Sequence, residues 1–174
     1  MNMQIELIPA SELADESFNI VINDLKPRET YRVEMFLSDY YCINAPMLLA
    51  HDVLWRSTGT FVSDKNGIID ISQTPSCSGS YEGISTMGLF FNAKPLTNKR
   101  KKLPNSLSKI PLLDHFFVGI KIMQGNTVIA ERTFTRHYMS SQISHQDIYG
   151  KHFQGRLFYD KKAIKTPSID YCER

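Results

Sequence analysis

In His115-Phe116-Phe117-Val118-Gly119-Ile120-Lys121-Ile122-Met123-Gln124-Gly125-Asn126-Thr127-Val128, the apolar residues Phe116, Val118, Ile120 and Ile122 alternate with Phe117, Gly119, Lys121 and Met123. Successive side chains of an extended chain point to opposite faces, so this pattern lays one face of a strand on a core. Gln124-Gly125-Asn126 then turns the chain into a second extended run over residues 127–138, which together make a β-hairpin. The same period recurs upstream. Tyr31, Val33, Met35 and Leu37 face one way and Arg32, Glu34, Phe36 and Ser38 the other, up to Asp39. Ile5 and Leu7 alternate with Gln4 and Glu6. Phe18, Ile20 and Ile22 alternate with Ser17, Asn19 and, less cleanly, Val21. Helical periodicity does not recur.

Residues 48–56 and 60–63 also read as extended, interrupted at Gly59. Asp64-Lys65-Asn66-Gly67 is a short polar turn leading into Ile68-Ile69-Asp70-Ile71, and it is expected to close another hairpin. Six or seven short strands joined by turn chemistry describe an all-β, antiparallel β-sandwich; the period leaves an immunoglobulin-like order and another Greek key both open. Between the two hairpins, residues 72–112 form a stretch long for a structureless loop, its first part rich in glycine and aromatics. The second part is basic and polar, with Lys99-Arg100-Lys101-Lys102 followed by Pro104 and Pro111. After a polar connector over residues 140–151, residues 153–159 read as one more strand without an obvious partner.

Composition bounds the rest. A chain of 174 residues, 42% apolar, 22% charged and with a net charge of +2, has the balance of an ordinary globular domain and excludes collagen, coiled coil and disorder. At this length folding buries roughly 70% of the unfolded surface, so neither disulfides nor a metal is needed to support a core. The longest apolar runs, near residues 46–49, 87–91 and 116–120, are strand-sized, so no membrane span is expected. Met1-Asn2-Met3-Gln4-Ile5-Glu6 lacks the cationic head and apolar stretch of a secretory signal, and a cytoplasmic location is the expectation. Cys42, Cys77 and Cys172 are spread too widely for a disulfide framework or a zinc set and are expected as reduced thiols.

Catalytic chemistry has few candidates. His51, His115, His137, His145 and His152 form no ligand-spaced motif, so structural histidines are expected and no metal is assigned. In Gly79-Ser80-Tyr81-Glu82-Gly83 the serine stands at the second position, not the third that a nucleophile elbow requires, and no strand and helix flank it. No phosphate-binding glycine loop occurs, so no cofactor is expected. Lys99, Arg100, Lys101 and Lys102 are candidate contacts for phosphates of nucleic acid or coenzyme A. With charge nearly balanced and no aromatic platform in the run, a solvated loop is the favoured reading and no nucleic-acid partner is assigned.

Gly79-Ser80-Tyr81-Glu82-Gly83, then Met87-Gly88-Leu89-Phe90-Phe91 and Lys94-Pro95, resembles the N-terminal domain shared by acyl-CoA thioester hydrolases and bile acid-CoA:amino acid N-acyltransferase. Asp15-Glu16 with Ile20, Leu25-Lys26-Pro27 and Gly67-Ile68-Ile69-Asp70-Ile71 precede the loop in the matching order. Residues 132–138 are similar to that family's last sandwich strand. Gly155-Arg156-Leu157-Phe158 and Pro167-Ser168-Ile169-Asp170 look like the opening of its catalytic domain. Ser17, often proline there, and Phe91, often tryptophan, depart mildly from the pattern. The resemblance implies an immunoglobulin-like sandwich over residues 1–140. Residues 141–174 would be the connector and first strand of an α/β-hydrolase domain that carries the nucleophile, the acid and the histidine, so no catalytic residue is assigned to this chain.

On that reading the chain is the non-catalytic N-terminal domain of an acyl-CoA thioesterase or acyltransferase. Its partner is the hydrolase domain, and it meets acyl-CoA only through that domain. Gly79, Gly83 and Gly88 supply the backbone turns of the loop, and Tyr81, Met87, Leu89, Phe90 and Phe91 form its apolar cluster. That cluster either plugs the end of the sandwich or docks the catalytic domain. The alternative is a stand-alone module that binds a protein or carbohydrate. A truncated enzyme is expected to leave residues 153–174 as an unpaired or loosely packed strand, whereas a self-sufficient module should tuck them in, and an unpaired tail would also favour a homodimer through edge strands.

Overall fold

The computed structural model describes residues 3–38, 40, 53–96 and 114–162. The chain divides into two compact units, Met1–Tyr138 and Met139–Arg174. In the first, β1 (Gln4–Ile8), β2 (Asn19–Asn23) and β5 (Ile69–Asp70) form a three-stranded antiparallel sheet in the order β1-β2-β5. The larger sheet contains β3 (Thr30–Ser38), β4 (Trp55–Val62), β6 (Ser78–Gly79), β8 (His115–Gln124) and β9 (Thr127–His137) in the order β6-β4-β3-β8-β9, and β7 (Lys94–Pro95) also pairs β4.

Each sheet gives one face to a shared core, as the alternation requires. Ile5, Leu7, Ile20, Ile22 and Ile69 come from the smaller sheet. Tyr31, Val33, Met35, Leu37, Phe61, Phe116, Val118, Ile120 and Ile122 come from the larger. This is the expected antiparallel β-sandwich. The register between β3 and β8 sets Met35 opposite Ile120 and Val33 opposite Ile122, so the two central strands present a continuous apolar band. On the outer face Glu34 is buried between two arginines, with Arg56 Nη2 at 2.6 Å and Arg32 Nε at 3.1 Å from its Oε1.

Two expectations about connections are corrected. The turn at Asp64 has the chemistry read from its sequence: Asp64 Oδ1 accepts from the Asn66 and Ile68 amides, each at 2.8 Å, and Gly67 sits at φ +76°. It is nevertheless not a hairpin turn, because β5 pairs with β2, Ile22 opposite Ile69, and the turn carries the chain from one sheet to the other. Gly59, in turn, does not interrupt β4. It lies mid-strand because a Cβ there would stand 2.6 Å from the Phe61 ring, so the glycine lets that ring lie over the backbone. The β8–β9 hairpin is as expected, with Gly125 at φ +60° in the first position of the two-residue loop and a bulge between Ile122 and Met123.

The 72–112 stretch is not structureless in its first part: residues 72–96 contain β6, a four-residue helix α1 (Gly88–Phe91) and β7. In the second unit, β10 (Ile143–Tyr149) and β11 (Gln154–Asp160) pair antiparallel, with Asp147 opposite Arg156. The last strand therefore has a partner, and the polar connector contains it. Arg156 holds Asp147 through two hydrogen bonds, of 2.6 and 3.1 Å. Among the described residues no helix is long and apolar enough to cross a membrane. Lys99, Arg100, Lys101, Lys102, Cys42, Cys172 and His51, and the segments 46–49 and 167–170, lie outside the described residues.

Candidate functional site: one end of the sandwich

The glycine-rich loop is built onto β4. The Cys77 amide donates to Thr60 O at 2.8 Å and the Ser80 amide to Thr58 O at 2.7 Å, and Ser80 Oγ accepts from the Thr58 amide at 2.9 Å. Ser76 and Gly83 exchange both backbone hydrogen bonds at 2.9 Å, closing the loop on itself. Gly79, at φ +126°, needs its missing side chain, since a Cβ would lie 2.4 Å from Thr58 O. Gly88 needs it for another reason: its Cβ would stand 2.4 Å from Cζ of Tyr81, whose ring lies against the start of α1. Burial pushes the Tyr81 phenol up to about 12.

The apolar residues of the loop separate into two sets. Leu89 is fully buried, and Met87, Phe90 and Tyr81 pack partly buried against the core. Phe90 meets Phe18 at 5.9 Å, Tyr40 at 5.5 Å and Phe116 at 6.3 Å between ring centres. Phe116 in turn lies 5.3 Å from Tyr138, the last residue of the first unit. Phe91, by contrast, is 75% exposed, and Ile84 is 61% exposed. The loop thus plugs the end of the sandwich with one set of side chains and offers the other to solvent.

At the same end, β9 is tied to the segment before β2. Arg136 is 1% exposed, and its guanidinium donates through Nη1 to Ser11 O at 2.5 Å and through Nη2 to Glu16 O. Arg132 Nη1 donates to Ile5 O at 2.7 Å. The Ala14 amide donates to His137 O at 2.8 Å and the His137 amide to Glu12 O at 2.5 Å. These bonds hold the seam between the sheets, where β1 and β9 are the neighbouring edges.

The structure also joins residues that sequence spacing keeps apart. His115 and His137 stand opposite each other in the β8–β9 register, and with Asp114 they place one potential ligand atom each within 4.8 Å of the others. His115 Nδ1 lies 2.5 Å from Asp114 Oδ1, and this hydrogen bond holds the Asp114 carboxyl below the usual carboxylate range. Neither histidine belongs to a ligand-spaced motif in the sequence. The hairpin brings the two rings together, and the only sequence signal was that both end the alternating runs flanking its turn. His145 and His152 lie in the second unit, and Cys77 is a free, exposed thiol.

Residues 15–149 match the family model described as the acyl-CoA thioester hydrolase/BAAT N-terminal region. Among curated relatives, acyl-coenzyme A amino acid N-acyltransferase 2 of Mus musculus is 27% identical over 112 residues, 63% of this chain and 24% of the relative. Bile acid-CoA:amino acid N-acyltransferase of Mus musculus is 21% identical over 171 residues, 95% of this chain and 38% of the relative. Mitochondrial acyl-coenzyme A thioesterase 2 of Rattus norvegicus is 20% identical over 169 residues, covering 97% and 35% respectively. The chain spans well under half the length of each.

Proposed function

Because the chain belongs to the family of the acyl-CoA thioester hydrolase/BAAT N-terminal region, we propose that it is the non-catalytic β-sandwich that seats an α/β-hydrolase domain. In that arrangement the chemistry, acyl transfer from a CoA thioester to water or to an amine through an acyl-enzyme, is performed by the second domain. Among the described residues of this chain, Ser72 is hydrogen-bonded to the Asp70 carboxylate at 2.6 Å, and no histidine joins that pair to make it a nucleophile and base. Acyl-CoA reaches the protein only through its partner, and no nucleic acid takes part.

The observation that carries the reading is the exposure of Phe91 beside a plugged end. Leu89 is buried in the core and Phe90 packs against it, whereas Phe91, among the described aromatic rings, meets only that of Phe90 and remains 75% exposed. Phe90 packs on Phe116, and Phe116 on Tyr138, where the chain leaves the sandwich. The exposed part of the loop is the face offered to a hydrolase domain, with Gly79, Gly83 and Gly88 holding its shape and Tyr81, Met87, Leu89 and Phe90 its base. A two-stranded ribbon is marginal alone, and β10–β11 leaves Tyr149, Phe153 and Phe158 exposed, which suits the opening of a larger sheet from residue 141 onward.

Cytoplasmic residence belongs to the same reading, supported by the exposed free thiol of Cys77. A homodimer through the β9 edge would have to avoid its His137 end, which the Leu13–His137 bridge occupies. The test has two parts. The chain incubated with a long-chain acyl-CoA should release no thiol above the buffer rate, and release would overturn the non-catalytic assignment. Reading the source DNA beyond the codon for Arg174 should give an open frame with G-x-S-x-G or G-x-C-x-G, and a stop codon would overturn the two-domain reading in favour of a self-sufficient binding module.

A further inference from the structure

We infer that Asp114, His115 and His137 form a binding site for a divalent transition-metal ion of the zinc class, with Glu12 placed to join them. The site owes nothing to the acyl-transfer reading above and stands or falls separately from it.

Three features of the fold build it. The β8–β9 register puts His115 directly opposite His137, with ring centres 5.7 Å apart, so two imidazoles project from neighbouring strands toward one space. Asp114, immediately before β8, adds a carboxylate, and the three ligand atoms lie within 4.8 Å of one another. Glu12 comes from a separate segment. The backbone bonds Glu12 O to His137 N and His137 O to Ala14 N fix that segment against the strand, and Glu12 Oε2 stands 3.9 Å from His137 Nε2.

Two imidazole nitrogens with carboxylate oxygens are a donor set suited to Zn²⁺, Co²⁺ or Ni²⁺ and poor for Ca²⁺ or Mg²⁺, which prefer oxygen alone. Metal–ligand bonds of about 2.0–2.2 Å place tetrahedral ligand atoms roughly 3.3 Å apart. Side-chain rotation brings the atoms to that value, opening the 2.5 Å His115–Asp114 pair and closing the longer separations, because both histidines are only half-buried and both carboxylates are exposed. An ion held there would join β8, β9 and the N-terminal segment at one end of the sandwich, so binding would be felt as stability.

The probes are Zn²⁺ by calorimetry and Co²⁺ by its visible absorption, added to the full chain. We expect one saturable ion per chain and a higher thermal midpoint when Zn²⁺ is present. His115→Ala, His137→Ala and Asp114→Asn should each weaken binding by at least about tenfold, and a combined His145→Ala and His152→Ala variant should bind as the original does. Asp114 is 79% exposed, so its variant reports ligation even if a histidine variant folds poorly. Absence of a saturable site, a titration unchanged in Asp114→Asn, or loss of binding on removing His145 and His152 would each overturn the assignment.

Discussion

The guanidinium of Arg136 lies 4.9 Å over the ring of Phe18 in the interior of the sandwich, and the same group holds the carbonyls of Ser11 and Glu16. Burial lowers its pKa, partly offset by the negative charges of Glu16 and Asp15. A buried cation persists only with partners, and here they are an aromatic face and two backbone oxygens that would otherwise lose their hydrogen bonds. Arg136→Met should therefore cost roughly 3 kcal/mol, since it strands both carbonyls. Arg136→Lys, which keeps the charge and loses the fork, should recover only part of it. Urea denaturation followed by far-UV circular dichroism reads both; a midpoint unchanged in Arg136→Met would contradict the role given to this residue.

Gly88 and Tyr81 make a second tight pair. Gly88→Ala puts a methyl 2.4 Å from the phenol ring, so the ring must leave its seat or the start of α1 must shift. The expected destabilisation is about 1–3 kcal/mol. Tyr81→Ala opens the space the methyl needs, so the double variant should cost less than the sum of the two single changes. Additivity in a double-mutant cycle would show that the two do not share the strain.

Much of this fold is written in the period of two, and what escaped the sequence did so for physical reasons. Alternation in β3 and β8 marks a buried face but does not say which strand lies alongside, so the Asp64 turn, correct in its chemistry, passes for a hairpin when it is a corner between sheets. β10 escaped because Ser144-His145-Gln146-Asp147 has no apolar face; that strand is solvated and held by its backbone ladder and the Asp147–Arg156 pair. Within the loop, composition grouped Leu89, Phe90 and Phe91 together. Only the helical turn of α1 separates the buried Leu89 from the exposed Phe91. His115 and His137 meet through register, which spacing along the chain does not encode.

The pH dependence follows from two groups. At Asp70, burial raises the carboxyl's pKa, and hydrogen bonds from Ser72, Asn19 and Gln73 outweigh it, leaving the group below its ordinary 3.8. A depressed folded pKa contributes stability that is present above 3.8 and lost as pH falls through the lower folded value. Asp70→Asn should thus flatten the acid limb of the stability curve. For Tyr81 the folded pKa is raised from 10.0 to about 12, so its contribution is complete below 10.0 and disappears as pH rises through 12. In an ultraviolet titration, Tyr81→Phe should remove the ionisation step near 12, and removal of a step near 10 would refute the buried setting.

Phe90 and Phe91 are adjacent in sequence and should behave oppositely. Phe90 lies among Phe18, Tyr40 and Phe116, so Phe90→Ala leaves a cavity in that cluster and should cost roughly 3 kcal/mol. Phe91 is 75% exposed and touches the cluster only at its edge, through Phe90. Phe91→Ser should therefore change the isolated chain by no more than about 0.5 kcal/mol. In a protein that also carries the hydrolase domain, the same Phe91→Ser change should weaken the association of the two domains, seen as faster proteolysis of the linker after residue 138. If Phe91→Ser destabilises the isolated chain as much as Phe90→Ala, the aromatic belongs to the plug. If it alters neither stability nor proteolysis, the exposed face of the loop is not where the catalytic domain rests.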